Sequence, residues 1–136
     1  MTIDIDRLNS FTFGDSADLS EHLLDLVRDG YKTATCAALR DYADSGLPLP
    51  EVGRLDVALT WEGKPALIIQ TIEVTTRRFC DVDEAFALAE GEDDSHEGWA
   101  AGHRAYFERN GGWEAEMMLV CERFRLVQDL ESVDPA

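Results

Sequence analysis

Apolar residues near the N-terminus recur at the spacing of an amphipathic helix. Leucine or valine occupies one face from residue 19 to residue 27 at intervals of three and four, which predicts a helix there. Asp15 or Ser16 can begin this helix because either side chain can accept a backbone N–H, and Gly30 can end it without a Cβ penalty. Residues 32–36 then predict a short strand, since β-branched side chains alternate in it.

The rest of the pattern mixes strand and helix periods without a regular strand–helix–strand repeat. Strands are predicted over residues 54–61, 66–79 and 117–127, and helices over residues 37–44, 82–89 and about 96–109. Prolines restrict the loop 47–53, and a glycine marks a hairpin turn at 62–65. Strand-rich halves around a few helices indicate an α+β fold or a small barrel with added helices.

Length and composition fit a single domain of 136 residues, 45% of them hydrophobic. We expect its core over about residues 11–128, with terminal arms at 1–8 and 131–136. No apolar run approaches the roughly 20 residues that span a bilayer, and the N-terminus lacks the basic and apolar regions of a signal peptide. We therefore expect a cytoplasmic protein without a membrane partner.

The cysteines and the net charge narrow the chemistry further. Cys36, Cys80 and Cys121 form no C-x-x-C pair, so reduced, partly buried thiols are the simplest interpretation. The net charge of −16 repels a polyphosphate at long range. We therefore expect no DNA partner, whereas a small ligand or a locally basic groove on an acidic body stays open.

One of only two lysines follows the first predicted helix and stands beside two threonines. Burial in a pocket would lower the pKa of Lys32 and make it an amine base. Strand alternation puts Thr33 and Thr35 on one face and Lys32 on the other. The alternative is a structural lysine that binds the last carbonyls of the helix.

The acidic segment 89–97 offers oxygen ligands for a divalent cation, although its spacing is not that of an EF-hand. The alternative is helix capping, since Asp93, Asp94 and Ser95 are all good N-caps. Glu92 follows a glycine, which lets the backbone turn its carboxylate inward.

Arg77 and Arg78 form the densest positive patch of the chain. They could hold a phosphate or carboxylate while Phe79 stacks on a base, or they could pair with nearby carboxylates. His22 and His103 stand without ligand-spaced partners, which favours core or surface roles. The tryptophans are most simply core or pocket-wall residues.

Five motifs occur in a fixed order along the chain. They are Phe13-Gly14-Asp15-Ser16, Gly30-Tyr31-Lys32-Thr33-Ala34-Thr35, Leu49-Pro50-Glu51-Val52-Gly53, Glu90-Gly91-Glu92-Asp93-Asp94-Ser95 with Trp99, and Leu119-Val120-Cys121-Glu122-Arg123-Phe124. From about residue 11 to residue 127 this order and spacing resembles the ASCH domain family, in particular its small single-domain bacterial members. The resemblance implies a PUA-like β-barrel of about five to six strands, with helices flanking a cleft that is associated with RNA or nucleosides.

The resemblance also implies a chemistry. Some ASCH members hydrolyse the amide of N4-acetylcytidine with a lysine, a threonine and a glutamate, and others are described as ribonucleases. The matching catalytic positions are Lys32, Thr35 and Glu92, in segments that the resemblance brings to one groove. Substrate contacts are expected from Tyr31, Thr33, Arg77, Arg78 and Trp99, with neither cofactor nor metal. The amidohydrolase members are shorter and lack the Leu-Pro-Leu-Pro loop, so the substrate stays open.

The expected mechanism begins with a lysine made neutral by burial. Lys32 would take a proton from Thr35 or from a water, and Glu92 would orient Lys32 or pass a proton to the departing amine. A salt bridge to Glu92 would instead keep the lysine protonated. The alternatives are a ribonuclease in which Arg77 or Arg78 grips the RNA backbone, and a non-catalytic module that binds RNA or a nucleoside. The acidic charge favours a small nucleoside over RNA, and the sequence does not indicate an oligomeric state.

Overall fold

The computed structural model describes residues 3–131. Five strands and four α-helices follow one another along this part of the chain. They are β1 (Asn9–Thr12), α1 (Ala17–Arg28), β2 (Ala34–Ala38), α2 (Leu39–Ser45), β3 (Leu55–Leu59), β4 (Pro65–Arg78), α3 (Glu84–Ala89), α4 (His96–Arg109) and β5 (Met118–Asp129). Short 3₁₀ turns lie at Ile5–Arg7 and Phe79–Asp81. The described residues hold no helix that is both long and apolar enough to cross a membrane.

The strands form one mixed sheet in the order β1-β3-β4-β5-β2. β1 runs parallel to β3, and the other neighbours are antiparallel. The long strands β4 and β5 pair from Leu67 opposite Asp129 to Arg78 opposite Met118, with register shifts after Ile68 and after Thr71. Such bulges bend and twist a sheet, and here the sheet curls into a half-barrel. The predicted α+β, barrel-like fold is confirmed.

Two apolar clusters stabilise the fold. Helix α1 packs Leu23, Leu24 and Val27 onto β4 and β5, where Ile69 and Phe124 are also buried. The second cluster joins β2 and β5 to the helices α3 and α4, and its buried members include Ala34, Phe79, Phe86, Trp99, Phe107 and Leu119. Because the two clusters lie under different helices, a cleft can open between them.

The element bounds differ from the predictions in three places that matter. The short β1 was not predicted, because its residues are mostly exposed. Its strand partner within the described part of the chain, β3, lies more than forty residues further along the chain. Strand β2 begins at Ala34 rather than at residue 32, so strand alternation does not govern Lys32. Of the predicted arms, residues 1–2 and 132–136 lie outside the described residues, and residues 5–7 form a 3₁₀ turn.

Candidate functional site

The loop between α1 and β2 turns Lys32 into the protein. At the end of α1, Gly30 takes a φ of +83°, which favours glycine. The backbone N–H groups of Tyr31 and Lys32 then both donate to the carbonyl of Leu26, each at 3.0 Å. This turn leaves Tyr31 exposed and buries Lys32, which is only 2% exposed.

A second loop, after α3, packs backbone to backbone against the first. The N–H of Thr33 donates to the carbonyl of Ala89 at 2.8 Å. Gly91 has a φ of +74°, and a Cβ added there would lie 2.3 Å from the carbonyl oxygen of Tyr31. Glycine is therefore required here both by the positive φ and by the close contact with Tyr31. The turn at Gly91 directs Glu90 and Glu92 towards Lys32.

Four ionisable side chains form a closed ring in this place. Lys32 Nζ lies 3.3 Å from Glu90 Oε1 and 3.1 Å from Glu92 Oε2. His103 Nε2 lies 3.2 Å from Glu90 Oε2 and 3.9 Å from Glu92 Oε2. Two basic groups thus alternate with two carboxylates, an arrangement in which each charge is held by its neighbours.

Glu90 is the buried anchor of the ring. Its Oε2 also accepts a hydrogen bond from Trp99 Nε1 at 2.6 Å and the thiol of Cys36 at 3.4 Å. Burial alone raises the pKa of Glu90, but the charges of Lys32 and His103 outweigh burial and hold that pKa well below its usual range. Glu90 is therefore a fixed anion.

The imidazole of His103 has one defined hydrogen bond on each side. Its Nδ1 lies 2.9 Å from the carbonyl oxygen of Trp99, and because a carbonyl only accepts, Nδ1 carries a proton. The other nitrogen, Nε2, faces the carboxylates of Glu90 and Glu92. Burial lowers the pKa of His103, but the hydrogen bond and charge of Glu90 raise it above the ordinary value.

Lys32 is an ammonium in this arrangement, which corrects the expectation of a neutral lysine. Burial by itself lowers the pKa of Lys32, but Glu90 and then Glu92 raise it above its ordinary value. Our prediction that desolvation makes Lys32 a base is therefore wrong, because desolvation acts here beside two carboxylates. The structure agrees with the alternative expectation, in which a salt bridge to Glu92 keeps Lys32 protonated.

A cavity of about 330 Å³ opens onto the ring, within the range of small-molecule sites. The structure brings the three predicted catalytic residues, Lys32, Thr35 and Glu92, to its wall, together with Glu90 and His103. Its remaining lining includes Phe13, Leu19, His22, Leu23, Cys36, Ala37, Ala38, Asp41, Asp93, Tyr106, Phe107 and Arg109.

The five residues predicted to contact substrate lie outside this lining. Tyr31 is 68% exposed, and Thr33 donates its hydroxyl to the carbonyl of Ala89. Trp99 is fully buried behind Glu90, stacked between Phe79 and His103, so it positions the carboxylate.

The two arginines of the positive patch have local partners. Arg77 pairs with Asp83 at 3.2 Å, and Arg78 pairs with Asp81 at 2.7 Å and with Glu116 at 3.7 Å. Local pairing, the simpler of the two interpretations of this patch, describes both side chains.

Sequence reasoning missed Glu90 and His103 as members of the site. Glu90 was considered only within the acidic segment, and His103 was assigned to the core or surface. The signal was the spacing of Trp99 and His103, which stand four residues apart and so share one face of α4. This spacing does not reveal Glu90, because Glu90 reaches that face of α4 only through the packing of α3 against α4.

The acidic segment itself mostly serves to begin a helix. Ser95 accepts the backbone N–H of Gly98 at 3.0 Å and caps α4, as the capping interpretation expected. Cys36, Glu90 and His103 place ligand-type atoms within 4.8 Å of one another. Lys32 and Trp99 also donate hydrogen bonds to the Glu90 carboxylate. Cys36, Glu90 and His103 therefore belong to a hydrogen-bond network.

The half-barrel with this cleft defines the class of protein. A family model described as the ASCH domain matches residues 9–128, and the chain belongs to the ASCH domain family, whose fold is of the PUA-like type found in RNA-binding proteins. No curated protein matches the chain.

Two solved structures are similar over most of the chain. One is an ASCH domain from Lactobacillus crispatus JV V101, with 32% identity over 88% of this chain and 79% of that one, at a TM-score of 0.80. The other is a protein from Enterococcus faecalis V583 that is described by the family name DUF984. It has 33% identity over 88% of this chain and 76% of that one, at a TM-score of 0.79.

Proposed function

We propose that this protein is an amidohydrolase that binds a small nucleoside in the cavity and cleaves an amide such as that of N4-acylated cytidine. The observation that carries the proposal is that Lys32, Thr35 and Glu92 all line one cavity, in which Lys32 Nζ lies 3.1 Å from Glu92 Oε2. An ammonium beside a partly exposed carboxylate supplies the two functions that amide hydrolysis needs, charge stabilisation and proton transfer.

The proposed roles follow from burial and charge. Glu92 is 22% exposed, and it takes a proton from a water that the Thr35 hydroxyl positions, as the oxygen of that water attacks the amide carbon. The carbonyl electrons move to the amide oxygen, and the Lys32 ammonium stabilises the resulting oxyanion. Glu90 keeps Lys32 charged and aimed at the same point, since it contacts the ammonium from the buried side.

The charge of the cavity favours a nucleoside over RNA. Four carboxylates line it, those of Asp41, Glu90, Glu92 and Asp93. The lysine and the arginine in the lining are both engaged, Lys32 with Glu90 and Glu92, and Arg109 with Asp15 at 2.6 Å. A phosphate would have to displace one of these pairs, whereas an uncharged nucleoside would not.

The test is release of cytidine from N4-acetylcytidine by the purified full chain, followed by chromatography. Wild type is expected to turn over, and Glu92→Gln is expected to lower kcat by about 10²–10⁴-fold. Asp94→Asn is the matched control, because Asp94 is exposed and lies outside the cavity lining.

Three outcomes separate the alternatives. Cleavage of single-stranded RNA without release of cytidine would support the ribonuclease. Binding of N4-acetylcytidine without turnover at high protein concentration would support the non-catalytic module. Equal loss of activity in Glu92→Gln and Asp94→Asn would remove the role given to Glu92.

A further inference from the structure

His103 completes the ring of charges and also reaches the cavity. Its side chain is 13% exposed and forms part of the cavity wall. The ring runs from Lys32 to Glu90 at 3.3 Å, to His103 at 3.2 Å, to Glu92 at 3.9 Å and back to Lys32 at 3.1 Å. The sequence expectation gave Glu92 the role of protonating the leaving nitrogen. In the proposed mechanism Glu92 takes a proton from the attacking water and Lys32 holds the oxyanion, so the leaving nitrogen calls for a second acid at the cavity.

The hydrogen bonds of His103 determine which of its protons faces the ring. Nδ1 donates to the Trp99 carbonyl, so a neutral imidazole would turn the lone pair of Nε2 towards two carboxylates. That contact is repulsive, whereas an imidazolium donates its Nε2–H to Glu90. The indole of Trp99 stacks on the imidazole of His103, with 4.4 Å between their centroids, and fixes the plane of the imidazole.

We propose that His103 is the proton donor of the site, and that its Nε2–H protonates the nitrogen that leaves when the amide bond breaks. This assignment rests on the amidohydrolase function proposed above. It makes His103 a catalytic residue, because it contacts the reacting nitrogen, and Trp99 a positioning residue, because it acts through His103.

The proton transfers balance in a simple order. Water attacks the amide carbon and gives one proton to Glu92, and the oxyanion forms beside Lys32. When the carbonyl re-forms, the carbon–nitrogen bond breaks and its electron pair stays on nitrogen, which takes the Nε2 proton of His103. Cytidine and the carboxylic acid leave. The proton on Glu92 then returns to Nε2 of His103 through a water, because the two atoms lie 3.9 Å apart and form no direct hydrogen bond.

The titration of His103 depends on the charged and titratable groups that face it. These groups are Glu90 at the end of α3, Glu92 and Asp93 in the loop that follows, Lys32 before β2 and Cys36 in β2. The carboxylates favour the imidazolium, and burial opposes it. A donor must be protonated, so activity should fall as the pH rises through a His103 pKa that is raised above its ordinary value.

The test is the pH profile of kcat for N4-acetylcytidine hydrolysis between pH 5 and pH 10. We expect His103→Gln to lower kcat by about 10²–10⁴-fold, with a much smaller change in KM, and to abolish the alkaline limb of the profile. His96→Gln is the matched control: it lies on the same helix and outside the cavity lining, and it should keep the wild-type limb. A His103→Gln enzyme with wild-type kcat and limb would overturn the proposal.

An NMR titration of the His103 imidazole keeps the proposal separate from the choice of substrate. We expect a pKa above the ordinary histidine value in wild type and a lower one in Glu90→Gln. If N4-acetylcytidine is not hydrolysed but this pattern is found, the proposed substrate fails, whereas the protonated state of His103 that a donor requires is upheld. A His103 pKa at or below the ordinary value would overturn the donor even in an active enzyme.

Discussion

One carboxylate, that of Glu90, accepts contacts from four different side chains. Lys32 contacts one oxygen, and Trp99, His103 and Cys36 contact the other. Burial raises the pKa of Cys36 well above its ordinary value, so its thiol stays protonated and can donate. Glu90 thus keeps Lys32 charged and His103 in place, although it is itself almost inaccessible to a substrate.

The buried pair of Lys32 and Glu90 gives a prediction about stability. Lys32→Met removes the ammonium that contacts Glu90 Oε1 and leaves that carboxylate oxygen without a charged partner. The free energy of unfolding in urea should therefore fall by about 3–5 kcal/mol. The double variant Lys32→Met/Glu90→Gln should recover part of that loss, because it removes the Glu90 charge together with the ammonium that paired with it. Lys64→Met is the control, since Lys64 is exposed in the β3–β4 turn, and we expect a change within about 0.5 kcal/mol. A double variant less stable than Lys32→Met would contradict this account of the pair.

At the scale of elements, the sequence predicts those helices and strands whose ends and buried faces are determined by residues within the element. Helix α4 has the predicted bounds because its caps and apolar face are all within the segment. The position of Lys32 was not predictable from strand alternation, because it lies in a turn held by the Leu26 carbonyl and by the loop after α3. The pattern of strands and helices indicated an α+β fold or a small barrel, and the family resemblance narrowed this to a PUA-like barrel. The meeting of Lys32 with Glu92 came from the resemblance alone, whereas the positions of Glu90 and His103 depend on how α3 packs against α4.

The close contact of the two loops gives a prediction about Gly91. Gly91→Ala should destabilise the protein and lower kcat by about 100-fold, because its Cβ would meet the Tyr31 backbone and shift Glu90 and Glu92. Gly63→Ala is the matched control: Gly63 has a similar φ of +88° but nothing within 4 Å of an added Cβ. It should cost only about 1–2 kcal/mol and leave kcat unchanged. Equal effects of the two substitutions would show that the loop contact does not position the site.

At the scale of the whole molecule, the site lies where the two apolar clusters meet. Lys32 Nζ lies 5.8 Å from the ring centroid of Phe13, a member of the α1 cluster. Glu90 accepts a hydrogen bond from Trp99, which belongs to the second cluster, under α3 and α4. The ring of charges therefore joins the two apolar clusters at the cavity. The net charge of the chain, −16, agrees with an uncharged substrate.

The central claim is that the Lys32 ammonium at this cavity supports amide hydrolysis. Its most direct test compares kcat/KM for N4-acetylcytidine in wild type, Lys32→Met and Lys64→Met, with circular dichroism to establish that each variant is folded. Removing one charged donor from an oxyanion should lower kcat by about 10²–10³-fold, so we expect that loss in Lys32→Met and none in Lys64→Met. A folded Lys32→Met enzyme as active as wild type would contradict the account.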